Sequence, residues 1–161
     1  WDLDAIQMLW IIRRMRDEAQ FLDCREIKCA PQVFLGAAGS PYASKPSIQA
    51  MREEKKANAG AQFMQTNLVF DFEGFERYLE ALEKRGVPQR TPILAGISPV
   101  RSVKAALAMR QVPGVTIPDA VVSRLESSSD AKEESVQMTP ELIDKGKNLP
   151  GVSGSHFRAV G

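Results

Sequence analysis

The feature that most limits what this chain can fold into is its alternation of short apolar runs with longer stretches of helical periodicity. Residues 32–38, 62–70, 92–97 and 155–160 each read as a short buried strand, bounded by Gly, Ser or Pro. Between them the apolar spacing becomes that of a helix. Phe75, Tyr78, Leu79 and Leu82 share one face of residues 73–85, and Gly86 ends that pattern. Asp4 is a suitable N-cap for a first helix that carries Ile6, Leu9, Trp10 and Met15 and runs to about Leu22. Ser47 is a candidate cap for a helix closed by Gly60. Further helices are expected over residues 102–109, 121–125 and 133–147, the last bent or broken at Pro140.

Strands alternating with helices imply a parallel sheet with helical crossovers. Four such strands match about half of an eight-stranded barrel. The expected fold is therefore α/β of the (β/α)8 TIM-barrel type, here a partial barrel of about four parallel strands. A doubly wound open sheet is the rival. Its glycine-rich phosphate turn, GxGxxG, is not in the sequence, nor is GxxxxGK before Ser or Thr.

Composition removes several function classes. The 161 residues suffice for one domain, and 43% apolar with 25% charged residues argues against disorder. Lys and Arg total 21 against 20 for Asp and Glu, so the basic excess of a nucleic-acid binder is missing. The apolar stretch at residues 8–12 is far too short for a membrane span and meets Arg13 and Arg14 at once. No signal peptide is legible, and Cys24 and Cys29 read as reduced thiols, which makes the cytoplasm the default compartment. With His156 as the single histidine, they do not make a zinc set. Trp1 and Gly161 read as cut ends.

In a parallel barrel, ligands meet the C-terminal ends of the strands. That rule selects Ala37-Ala38-Gly39, residues 67–71, Gly96-Ile97-Ser98-Pro99 and Ala159-Val160-Gly161. Small residues in the first group let a flat ligand approach the backbone, and equally let a helix pack on a strand. Side-chain alternation puts Gln65 and Asn67 on one face and Thr66 on the other. An amide buried there costs about 1–3 kcal/mol unless it is paired. A ligand with ring nitrogens and a carbonyl would pair it, and so would backbone or water. Lys55 and Lys56 close the run Arg52-Glu53-Glu54-Lys55-Lys56; by charge alone they are solvated cations at a helix C-terminus. His156 reads as a structural histidine. No Ser-His-Asp set or pair of catalytic carboxylates can be assembled.

Longer motifs add a resemblance. NAGAQFMQTNLVFD, from Asn58 to Asp71, resembles the AGA(D/N)F-x-x-TQ-x-x-FD segment on the sixth barrel strand of the methylenetetrahydrofolate reductase family. PILAGISPV, from Pro92, resembles that family's seventh strand, and VPGVTIPD, from Val112, the segment after it. GAAGSP, from Gly36, resembles its fifth strand, and the run from Pro150 to His156 the entry to its eighth. The matches fall in order along nearly the whole chain.

The resemblance implies that residues 1–161 are the C-terminal part of a barrel domain that holds FAD at its C-terminal face. The flavin takes a hydride from NAD(P)H, or electrons from a redox partner protein, and reduces 5,10-methylenetetrahydrofolate to 5-methyltetrahydrofolate. The proton-donating glutamate and a flavin-side aspartate belong to strands that precede Trp1, so no catalytic residue is assigned here. By the same resemblance Trp1, Asp2, Ala38, Arg52, Lys55 and Lys56 are expected to contact FAD. Asn67 takes the place of a folate-binding glutamine, with Gln65 beside it, and Ala105 and Met109 lie on the folate-side helix. The full-length protein is expected to form homo-oligomers. The alternative is a relative that binds flavin or a partner without catalysis, motivated by the shorter Asn67 and the apolar Ala105.

Overall fold

The computed structural model describes residues 2–158. Elements follow in the order α1 (Ala5–Glu18), β1 (Gly36–Gly39), α2 (Pro46–Ala59), β2 (Phe63–Leu68), α3 (Phe72–Glu83), β3 (Ile93–Ile97), α4 (Val103–Met109), α5 (Asp119–Ser127), α6 (Ala131–Lys147) and β4 (Val152–Phe157). The four strands form one sheet in the order β1-β2-β3-β4, and every pairing is parallel. This is the expected arrangement of helical crossovers in a barrel wall.

Local chemistry explains the main boundaries. At α1, Asp4 accepts from the Gln7 amide at 2.7 Å while the Gln7 side chain accepts from the Asp4 amide at 2.8 Å, a reciprocal cap. Asp71 caps α3 by accepting from the Gly74 amide at 2.9 Å. One face of α3 then buries Phe75, Tyr78 and Leu82 completely, against Met64 of β2 and the rest of the core. Each such side chain contributes roughly 1.5–3 kcal/mol through removal from water. Ile93, Ala95 and Ile97 of β3 are likewise fully buried. The sheet thus has one helix-covered face.

Several expected boundaries move, each for a local reason. α1 ends at Glu18 because Ala19 turns left-handed (φ 50°) and Gln20 pairs antiparallel with Glu26. The first strand begins at Gly36, not at residue 32. β2 starts only at Phe63, so the upstream Leu35 amide is met by the Gln62 side chain at 3.0 Å. Pro46, not Ser47, opens α2, its ring fixing the first helical turn behind Lys45. Pro140 neither ends nor divides α6, which runs through it. The carbonyl it leaves without an amide donor is that of Val136, a residue 61% exposed, where water can pair it. The last strand is Val152–Phe157, earlier than residues 155–160, because Ser155, His156 and Phe157 register with Ala95, Gly96 and Ile97 and β3 ends there. Ala159, Val160 and Gly161, selected above as a strand end, lie outside the described residues, as does Trp1.

Cys24 and Cys29 are free and exposed. Among the described residues no helix is long and apolar enough to cross a membrane, and no group of three His, Cys, Asp or Glu is placed to hold a metal ion.

Candidate ligand trough at the strand C-terminal ends

β2 sorts its side chains by alternation. Met64, Thr66 and Leu68 are buried on the helix side, while Phe63, Gln65 and Asn67 are half-buried on the other. Thr66 pins the strand end: its hydroxyl donates to the Asn67 carbonyl at 2.8 Å and accepts from the Gly96 amide at 2.9 Å. The register between β2 and β3 shifts here, and a Cβ on Gly96 would lie 2.5 Å from the Thr66 carbonyl oxygen. Only glycine allows this backbone approach.

The open face carries a trough. A cleft of about 360 Å³ is floored by Gly36, Ala37 and Ala38 and walled by Phe63, Gln65, Asn67 and Arg158. Asn67 and Arg158 also line a second cleft, of about 190 Å³, with Met109, Val112 and Val115. Met109 and Val112 pass in turn into a third, of about 410 Å³, with Pro99, Arg101 and Ala105. The shared residues make the three clefts neighbours along the open face, running from the body of β1 and β2 to the strand ends, and together they form the trough. Its wall is closed by the segment after α4, where Thr116 pairs with Val69. Gly114 has φ 81°, and a Cβ there would lie 2.9 Å from the Asn67 amide nitrogen, so its bare backbone makes room for that side chain. A further groove of about 300 Å³, lined by Leu79 and three glutamates of α3 with Leu149 and Pro150, lies before β4 begins, away from the strand C-terminal ends.

Beneath the trough floor is a charged cluster. Lys56 Nζ donates to the Ala38 carbonyl at 2.7 Å and lies 2.8 Å from Glu53 Oε2, an ion pair rather than an aligned hydrogen bond. Glu53 is fully buried, and its Oε1 accepts from the Ser40 amide at 3.2 Å. Tyr78, on α3, has a buried hydroxyl without a partner among the described residues. Burial, and then the Glu53 charge, hold that phenol well above the usual tyrosine range. Tyr42 donates to the Asp71 carbonyl at 2.7 Å, and burial followed by the Asp71 charge raises it as well.

The sequence candidates divide clearly. Ala38, Gln65, Asn67, Ala105 and Met109 all line the trough. Arg52 and Lys55 are exposed on α2, and Asp2 is exposed ahead of α1. Lys56 is not the free cation that charge alone suggested, since its side chain is 14% exposed and ion-paired. Arg158, Arg101 and Glu53 were not singled out. Arg158 was hidden by the misplaced last strand, and Glu53 by its place in a charge run that reads as solvated.

The fold defines a parallel (β/α) barrel wall, with the trough on its open face. The chain belongs to the methylenetetrahydrofolate reductase family, whose family model matches residues 11–160. It is 30% identical over 124 residues to a probable methylenetetrahydrofolate reductase (NADPH) from Caenorhabditis elegans, an alignment that covers 70% of this chain and 18% of that protein. It is also similar in fold to an uncharacterized protein from Clostridium thermocellum that binds two copies of 5-methyl-5,6,7,8-tetrahydrofolic acid. That match has a TM-score of 0.61 and 22% identity, and covers 81% of this chain and 48% of the other. The chain thus spans less than half the length of either relative.

Proposed function

We propose that this chain is the C-terminal part of a flavin-dependent reductase barrel, and that the complete protein converts 5,10-methylenetetrahydrofolate to 5-methyltetrahydrofolate. One observation carries the reading: Ala38, Gln65, Asn67, Met109 and Ala105, widely spaced in sequence, line adjoining clefts on the face where a barrel binds its ligands. The residues present fit FAD and a folate. The Phe63 ring covers Gly36, which leaves Ala37 and Ala38 as the small floor beside it, and Gln65 and Asn67 offer amide donors and acceptors for ring nitrogens and a carbonyl. Lys56, bonded to the Ala38 carbonyl from the helix side, would with Arg52 and Lys55 along α2 supply positive charge for phosphate oxygens. Bound there, FAD would supply the hydride chemistry, drawing electrons from NAD(P)H or a redox partner protein. The chain's own residues orient it: the amides fix the folate ring, and the apolar stretch from Met109 to Pro99 excludes water beside it.

A second reading, a barrel relative that binds flavin or a partner without catalysis, is favoured by Asn67. Its amide nitrogen packs toward Gly114, and Ala105 and Met109 add no polar group opposite it. The test is to purify the full-length protein, measure bound flavin, reduce it, and add methylenetetrahydrofolate. Reoxidation supports the reductase; a flavoprotein whose reduced flavin stays reduced supports the second reading. Residues 1–161 alone, with β1 and β4 as unpaired sheet edges, are expected not to turn over. A monomer of this chain with stoichiometric FAD and full turnover would sink the claim that it is part of a larger barrel.

A further inference from the structure

We propose that Glu53 is a positioning residue: its buried carboxylate holds the Lys56 ammonium under the end of β1, where Lys56 presents N–H capacity to a phosphate oxygen of the flavin cofactor. The inference rests on the reductase reading and goes beyond it in assigning a role to a residue that does not touch the ligand.

Glu53 is 0% exposed, in a helix whose neighbouring positions 52 and 55 are solvent-facing. A carboxylate buried this deeply is costly unless it is paired. Its pairing is local and aimed at one place. Oε1 receives the Ser40 amide, Oε2 faces Lys56, and Lys56 in turn donates to the Ala38 carbonyl. All these contacts converge on Ala38 to Ser40, the last turn of backbone under the trough floor. Tyr78 closes the cluster from α3: a Cβ on Gly39 would lie 3.0 Å from its hydroxyl oxygen. Stability alone does not call for such an arrangement, because well-packed apolar residues in place of a buried ion pair are often neutral or stabilising.

What the pair provides is a fixed ammonium. A lysine side chain free in solvent loses rotamer freedom when it captures a phosphate. Lys56 is already held between Glu53 and Ala38, and an ammonium has three donors. One serves the Ala38 carbonyl, and the side chain keeps 14% exposure. Glu53 thus removes the ordering cost of the cation and limits its reach to ligands lying along β1.

The test uses the full-length protein with Glu53→Gln, Lys56→Met and the double variant. Dissociation constants for FAD and for riboflavin, which lacks phosphate, are measured beside thermal melting. Each single variant is expected to weaken FAD about tenfold, the loss of one charge-assisted hydrogen bond. The double variant is expected to show the same total loss of about tenfold rather than about a hundredfold, because Glu53 acts only through Lys56. Riboflavin affinity is expected to stay constant in all three. Unchanged FAD affinity in Glu53→Gln, a multiplicative loss in the double variant, or equal losses for riboflavin and FAD would overturn the assignment, the last by showing a distorted floor. Wild-type protein that takes up neither flavin overturns the reductase reading itself, and this assignment with it.

Discussion

The two faces of β2 are one residue apart in sequence and opposite in character. Met64 and Thr66 are at most 3% exposed and lock into α3 and β3, whereas Phe63, Gln65 and Asn67 stay half-buried above the trough. Backbone, strand and neighbours are the same; only the direction of the side chain differs. A one-residue slip would put the amides into the helix layer and Met64 into the trough. The covered face therefore sets the register and the fold, and the open face is free of that constraint. Substitutions on the two sides should separate stability from binding.

The largest effect is expected on the covered side. Phe75 is fully buried and stacks on Tyr78 with ring centres 6.0 Å apart. Phe75→Ala should cost about 3–5 kcal/mol, through lost burial and the cavity left behind. Chemical denaturation measures this directly. A loss below about 1 kcal/mol would mean that the helix layer is not the stabilising face.

Thr66→Val comes next, since it keeps the shape and removes the hydroxyl that serves both the Asn67 carbonyl and the Gly96 amide. Leaving that buried amide unpaired should cost about 1–3 kcal/mol. The β2–β3 junction should also exchange its amide hydrogens faster, at Gly96 first. Protection at Gly96 equal to that of the wild type would show that another group takes the bond.

Alkaline titration probes the covered side without mutation. Both tyrosines of the sequence, Tyr42 and Tyr78, are raised above the ordinary phenol value near 10, in each case chiefly by burial. Above that pH the unfolded chain loses protons that the folded chain keeps, so the slope of stability against pH is negative. Their contribution is whole below about pH 10 and is lost progressively as pH rises toward the folded values. Ultraviolet titration should show no tyrosinate until unfolding begins. A tyrosine that ionises near pH 10 in the folded protein would contradict the burial of its hydroxyl.

The sequence made the covered side easy to read and the open side hard. Helix α3 was legible because Phe75, Tyr78, Leu79 and Leu82 repeat at helical spacing, and the parallel order followed from strand–helix alternation. Alternation also placed Gln65 and Asn67 on one face. The difficult parts were those that depend on contacts distant in sequence. The first strand is cut short by the Gln62 side chain, and the last strand's span is set by where β3 ends. Glu53 is charged, and nothing local in its charge run says that it is buried. Arg158 enters the trough only once β4 is registered on β3. Longer motifs supplied what periodicity did not, because they encode such contacts together.

The smallest effect on stability, and the sharpest on binding, is expected on the open side. Gln65→Ala removes a half-buried side chain for which no buried partner is left unpaired, so stability should change by less than about 0.5 kcal/mol. Folate affinity of the full-length protein should fall about tenfold, the loss of one or two hydrogen bonds to the ligand ring. Asn67→Gln tests the same face in the other direction. Gly114 leaves the Asn67 amide room on one side, and an added methylene lets the amide reach farther into the trough. Under the reductase reading this variant should bind folate at least as tightly as the parent while its melting temperature is unchanged. If Gln65→Ala instead lowers stability by more than about 2 kcal/mol, Gln65 is packed like a core residue. The contrast between the two faces of β2 would then fail at the strand where it is drawn most clearly.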